Sequence, residues 1–148
     1  MKILTFDIEE WFHILDNKKT NSVSEWNNFE SRIQLGMDVI YDLLDKSNSS
    51  ATFFVVGWMA EKHPEIIRGI SDRGYEIASH THLHQLAYTQ DRKTFNDDVE
   101  KSIKTLEDCT GKKTTSFRAP GFSITEKNKW AFEILHELGI TKDSSVFP

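Results

Sequence analysis

Short apolar runs alternate along the chain with segments whose apolar residues recur every three or four positions, the pattern of strands alternating with helices. Lys2 to Ile8 is the first expected strand. Arg32 to Lys46 reads as a helix with Leu35, Val39, Ile40, Leu43 and Leu44 on one face. Ala51 to Val56 is apolar and β-branched enough for a buried second strand. Pro64 suits the first turn of a helix through Ile66, Ile67 and Ile70, which Gly74 can end. Glu76 to Ser79 is a short third strand. Phe95, Val99, Ile103 and Leu106 then mark a helix with Gly111 as its stop. Thr115 to Phe117 is a fourth strand running into a turn at Pro120 and Gly121. Thr125 is placed to cap a helix that carries Trp130, Ile134, Leu135 and Leu138 and stops at Gly139. A fifth strand begins near Lys142 and extends to Phe147. This succession predicts an α/β fold with a parallel sheet or barrel. The stretch from Phe12 to Ser31 has weaker periodicity. Trp11, Trp26 and Phe29 are expected in the core, over one end of the barrel, or along a substrate cleft.

A chain of 148 residues, 38% hydrophobic and 28% charged, is sized for one domain, 1–148, with its own core. The net charge of -5 comes from 18 basic and 23 acidic residues that are interspersed, which leaves no electrostatic footprint for nucleic acid. No apolar run approaches the ~20 residues that a membrane-spanning helix needs. Lys2 is followed at once by a strand pattern, so no leader peptide is expected. The single Cys109 excludes an internal disulfide and fits a reducing compartment, so a cytoplasmic location is expected.

In parallel α/β folds, ligands bind at the carboxyl ends of the strands. Asp7 and Glu9 end the first expected strand, His80 the third and Arg118 the fourth. Three strand ends thus bring carboxylates, histidines and an arginine to one rim. Ser79 to His84 holds three histidines in five positions. His80 and His82 would point to opposite faces if the strand continued, so His80 with His84 is the better metal pair. A borderline divalent ion accepts two imidazoles and a carboxylate while keeping open positions. Asp7, Glu9 and Glu10 are the available acids, and a hydrolase needs one on the metal and another free as base. Arg118 beside an acid would hold it ionised and oriented.

Thr5-Phe6-Asp7, Ser79-His80 with His84, and Phe117-Arg118-Ala119-Pro120-Gly121 resemble, in order and spacing, the first three motifs of the polysaccharide deacetylase family. That family is also known as carbohydrate esterase family 4, with the NodB-homology fold. Ala51 to Val55 is similar to its second strand, and Asp7 to His13 to a bacterial branch linked to exopolysaccharide synthesis. The resemblance implies a distorted (β/α) barrel, here about its first five strands, and metal-assisted removal of acetyl groups from sugars. It implies Asp7 as catalytic base, His80 and His84 as ligands of one divalent ion, and Arg118 as the residue that orients Asp7. Zinc is the first choice of ion, with cobalt, nickel or manganese behind it. Gly121 would offer a backbone N–H to the oxyanion. Trp11 and Pro120 are the candidate contacts for an acetylated carbohydrate.

Two departures from the family pattern stand out. Ile8 occupies the position of the usual third ligand, an Asp. Glu9 is the expected substitute because skipping one residue keeps it on the same face as Asp7, and Glu10 is the alternative. The family's later strands, which carry an acid histidine and an apolar pocket, have no counterpart before Pro148, and His136 sits in a helical pattern. The domain is therefore expected to be incomplete at its carboxyl end. Its open edge implies a remainder of the chain or association with a second copy. Two rival readings remain: a metal-independent amide or ureide hydrolase of the same fold, and a non-catalytic carbohydrate-binding or assembly protein.

Overall fold

A computed structural model describes residues 3–15 and 17–146. Five strands, β1 (Thr5–Ile8), β2 (Thr52–Val55), β3 (Glu76–Ser79), β4 (Ser116–Phe117) and β5 (Lys142–Asp143), pair in parallel in the order β1-β2-β3-β4-β5. A doubly wound sheet reverses its order at a switch point. This one follows the chain without reversal, as the arc of a (β/α) barrel does. In the register, Ile8 pairs with Val55, Val55 with Ser79, Ser79 with Phe117 and Phe117 with Asp143. Glu9, His80, Arg118 and Ser144 therefore leave the sheet on one rung.

The helices are α1 (Ile33–Ser47), α2 (Gly57–Lys62), α3 (Pro64–Asp72), α4 (Arg92–Thr110) and α5 (Trp130–Glu137). Phe53, Val55, Met37, Leu44, Met59, Ile67 and Ile70 fill one core cluster around β2. A second cluster packs Phe95 and Val99 of α4 against Phe117 of β4 and Ile134 and Leu135 of α5. Gly111 and Gly139 end α4 and the turn after α5 at φ 68° and 85°, which glycine adopts without strain. Lys2 and Phe147, at the ends of the first and last expected strands, lie outside the described residues.

Three expectations are corrected. Leu35, Val39 and Leu43 are exposed at 71%, 69% and 54%, whereas Met37 and Leu44 are buried with Ile33, Ile40 and Tyr41 packed beside them. Helix α1 carries two apolar stripes on roughly opposite sides, and periodicity does not say which one meets the sheet. The start of the helix is held from outside it. Buried Glu10 accepts the backbone N–H of Arg32 at 3.1 Å and of Ile33 at 3.3 Å, and the Ser31 hydroxyl, at the helix N-terminus. Helix α2 was not expected, because Gly57, Trp58, Met59 and Ala60 are all buried and show no polar face. Thr125 caps a single 3-10 turn, Glu126–Asn128, and α5 starts only at Trp130.

The weakly periodic stretch forms two 3-10 turns, Trp11–His13 and Val23–Asn28. Trp26 and Phe12 are buried there, and Trp11 is 41% exposed, edge-on to Phe29.

The two stripes of α1 give a direct test by urea unfolding. Met37→Ala should cost about 2–5 kcal/mol, as large-to-small core changes do. Val39→Ser should stay within about 0.5 kcal/mol, as surface changes do. The opposite ranking would mean that α1 packs on its other face.

Candidate active site

Arg118 is the hub of the rim. It is buried, and its Nη1 donates to Asp7 Oδ1 at 2.7 Å. Its Nη2 donates to Thr5 Oγ1 at 3.1 Å and to Ser144 Oγ at 2.9 Å. The guanidinium lies 4.0 Å above the Phe54 ring. With four contacts fixing one planar group, Asp7 keeps Oδ1 on the arginine and turns Oδ2 toward His80 Nε2, 3.9 Å away.

The two histidines expected as ligands share one arrangement. His80 donates Nδ1–H to the Arg118 carbonyl at 2.7 Å, and His84 donates Nδ1–H to the His13 carbonyl at 2.9 Å. A carbonyl only accepts, so the proton of each neutral ring sits on Nδ1 and the Nε2 lone pair faces the site. Their ring centroids are 5.0 Å apart. His82 turns away, buried 3.6 Å from Glu61 and packed so closely on α2 that a methyl group at Gly57 would lie 2.5 Å from its Nδ1.

The two candidate third ligands separate by geometry. Glu10 is committed to the N-terminus of α1 and to the His13 backbone. Glu9 Oε2 lies 2.9 Å from His84 Nε2 and, though buried, meets no hydrogen-bond donor. A carboxylate oxygen facing an imidazole lone pair at that distance requires a cation between them, either a proton or a metal ion. These side chains fit a divalent ion in chemistry. Among the described residues, however, no group of three or more His, Cys, Asp or Glu side chains is placed as it stands to hold a metal ion.

Beyond Arg118 the backbone turns through Pro120 and Gly121. Pro120 is buried, while Gly121, at φ 59°, and Phe122 are on the surface. The Pro120 ring is thus covered, and Gly121 and Phe122 are the residues that this loop exposes. Trp11 is exposed, and its indole N–H is already given to the Glu30 carbonyl at 2.9 Å. His136 is exposed on α5.

Several site residues were not foreseen. Ser144 holds Arg118, and Ser145 Oγ accepts the Ala119 N–H at 2.8 Å while donating to Asp143. Serines that follow a short polar strand give no periodic signal. Asp98 on α4 accepts the N–H groups of His82 and Leu83. Its sequence signal was a carboxylate within the stripe of Phe95, Val99, Ser102 and Leu106. Burial raises the Asp98 pKa, against the lowering by those two N–H groups.

A sequence profile described as polysaccharide deacetylase matches residues 17–142, a span that includes His80, His84, Arg118 and Gly121 but begins after Asp7 and Glu9. A peptidoglycan-N-acetylglucosamine deacetylase of Bacillus cereus is 33% identical over 95 residues, which cover 64% of this chain and 34% of that protein. A peptidoglycan deacetylase of Helicobacter pylori is 27% identical over 113 residues, 76% of this chain and 38% of that protein. This chain therefore spans about a third of the length of these curated relatives. A crystal structure of a Mycobacterium smegmatis protein named as a polysaccharide deacetylase superposes with a TM-score of 0.79 at 27% identity, covering 97% of this chain and 50% of that one. A CE4 family pseudoenzyme from Bacillus anthracis superposes with a TM-score of 0.73 at 18% identity, over 95% of this chain and 41% of that one, a likeness of fold.

Burial holds three imidazoles neutral. It pushes His13 down to about 3, helped by His84 and His80. It pushes His80 down to about 4 against the pull of Asp7, and His82 to about 4, where Lys101 adds to it and Glu61 opposes it. Below the ordinary value of 6.5 the unfolded chain takes up protons that the fold refuses, so stability falls as pH drops from about 6.5 toward 4. In chelator, the melting temperature should decline across that window, and His82→Leu should make the decline shallower. A melting temperature independent of pH between 7 and 5 would contradict the burial of these rings.

Proposed function

The chain belongs to the polysaccharide deacetylase family, and on that premise we propose that it is the metal-binding part of a hydrolase that removes N-acetyl groups from an amino-sugar polymer. The observation that carries this reading is the pairing of two histidines, both donating Nδ1–H to backbone carbonyls, with Glu9 beside an Asp7–Arg118 pair on the same rim. His80, His84 and Glu9 would hold the ion. A divalent ion there, zinc in the first instance, would supply Lewis acidity, acidifying water and polarising the acyl oxygen.

The chain's own residues divide the remaining work. Asp7 is the base: Oδ1 is held by Arg118, and Oδ2 is left to accept a proton from the attacking water. Arg118 keeps that carboxylate ionised and aimed. The backbone at Gly121 offers an N–H to the oxyanion that develops on the acetamide carbonyl. The carbon–nitrogen bond then breaks, acetate forms, and the amine leaves with a proton. Neither His82, which faces Glu61, nor His136, on α5, stands beside Asp7 to supply that proton. The B. cereus relative acts, by its name, on N-acetylglucosamine in peptidoglycan, which favours an N-acetylated amino-sugar polymer here as well.

A second reading rests on Ile8, where the family pattern has an Asp, and on the fold neighbour described as a pseudoenzyme. In that reading the chain binds acetylated glycan without turnover.

Metal content after equal dialysis and acetate release from N-acetylglucosamine oligomers test the proposal together. His84→Ala and Glu9→Gln should lose the ion, whereas Glu10→Gln should keep it and lose stability instead. Asp7→Asn should keep the ion and lose hydrolysis by about 10²-fold or more, the contribution of a positioned base. Metal retained in His84→Ala would contradict the site. Oligomer binding with no acetate from the zinc-loaded full-length protein would establish the non-catalytic reading.

A further inference from the structure

The segment from His80 to His84 is an irregular loop that leaves β3 and carries both proposed ligands. Two of its residues, Thr81 and His84, sit at φ 63° and 54°, a left-handed conformation that side chains other than glycine adopt at a cost. Such strain persists only where the surroundings fix it. On the sheet side the loop is held by its neighbours in the barrel: His80 N–H donates to Val55 at 2.9 Å, and Thr81 and His82 accept from Gly57 and Trp58 of α2. On the other side its attachments come from α4. Asp98 Oδ2 accepts His82 N–H at 2.7 Å and Oδ1 accepts Leu83 N–H at 3.0 Å, one carboxylate spanning two consecutive amides. Ser102, one turn further along the same helix, meets Ser79 at 2.8 Å, where β3 ends.

We propose that Asp98 is a positioning residue for the proposed metal site: by clamping the His82 and Leu83 amides it sets the loop conformation that aims His80 Nε2 and His84 Nε2 at one point. The inference rests on the metal reading above, and it assigns a role to a buried carboxylate that neither ligates nor exchanges protons in that mechanism. A carboxylate gives each of the two amides an acceptor oxygen of its own. In Asp98→Asn one oxygen becomes an NH₂ donor that faces an N–H, so one amide loses its partner while the size of the side chain is kept. His84 follows Leu83 directly, and a shift of that amide is passed to the imidazole.

Cobalt(II) titration, read by its visible d–d bands, compares wild type, Asp98→Asn and Asp91→Ala. Asp91 caps α4 by accepting Thr94 N–H at 2.7 Å, so its removal weakens the same helix without touching the loop. Asp98→Asn should bind cobalt about 10–100-fold more weakly, the usual cost of losing an outer partner of a metal ligand. Its bands should change shape, while Asp91→Ala titrates as wild type does. Hydrogen exchange and ¹⁵N-resolved proton shifts of the wild type give a second arm that needs no variant to fold: the His82 and Leu83 amides should be protected and shifted downfield. Wild-type affinity and spectrum in Asp98→Asn would overturn the proposal, and so would equal weakening in Asp91→Ala. Loop-like exchange at His82 and Leu83 would overturn it as well. A wild type that binds no cobalt would contradict the metal reading itself, leaving the clamp to be judged by the two amides.

Discussion

Arg118 joins more of this structure than any other side chain at the rim. Its guanidinium reaches Thr5 and Asp7 of β1 and Ser144 after β5, and lies on Phe54 of β2. Its carbonyl takes the Nδ1 proton of His80, where β3 ends. One residue thus couples the base, one proposed ligand and the first and last strands of the arc. A buried arginine must find acceptors for its rigid set of donors, because an unpaired charge out of water is costly. Here one of those acceptors is Asp7, the proposed base. The electrostatic demand of the arginine and the placement of the site are therefore met by the same contacts.

The histidines add a second constraint, set by hydrogen bonding rather than by charge. Each gives its Nδ1 proton to a backbone carbonyl, and those carbonyls belong to Arg118 and His13, on two different sides of the rim. The tautomer follows from the fold, and with it the direction of the Nε2 lone pairs. His13 is in turn fixed by Glu10, whose carboxylate also holds the start of α1. The orientation of His84 and the start of α1 thus share one buried carboxylate.

The sequence conveyed β1, β2 and β3 well because each is a short run carrying apolar residues, whereas β5 is polar and shorter than expected. β3 was foreseen with its observed ends, and the helix starting at Pro64 was foreseen at its first residue. Asp7, Glu9, His80 and Arg118 were expected on one rim because they follow strand ends, and the parallel register brings those ends level. What stayed hidden has physical causes. Two apolar stripes on α1 gave the same helical period, and that period does not say which one packs. The fully buried α2 lacks a polar face. Glu9 and Glu10 are adjacent and alike in sequence, and only the three-dimensional path shows one turned to His84 and the other to a helix N-terminus. Asp98 acts on backbone amides, which no pairing of side chains in the sequence announces.

The central claim is that this rim holds one divalent ion between His80, His84 and Glu9, with Asp7 beside it. Anomalous diffraction from a zinc-soaked crystal, recorded on both sides of the zinc absorption edge, tests it most directly. The account predicts a single anomalous peak about 2.0–2.2 Å from His80 Nε2, His84 Nε2 and a Glu9 oxygen. A peak coordinated through Glu10 or His82, or no peak at the rim at full zinc loading, would contradict it.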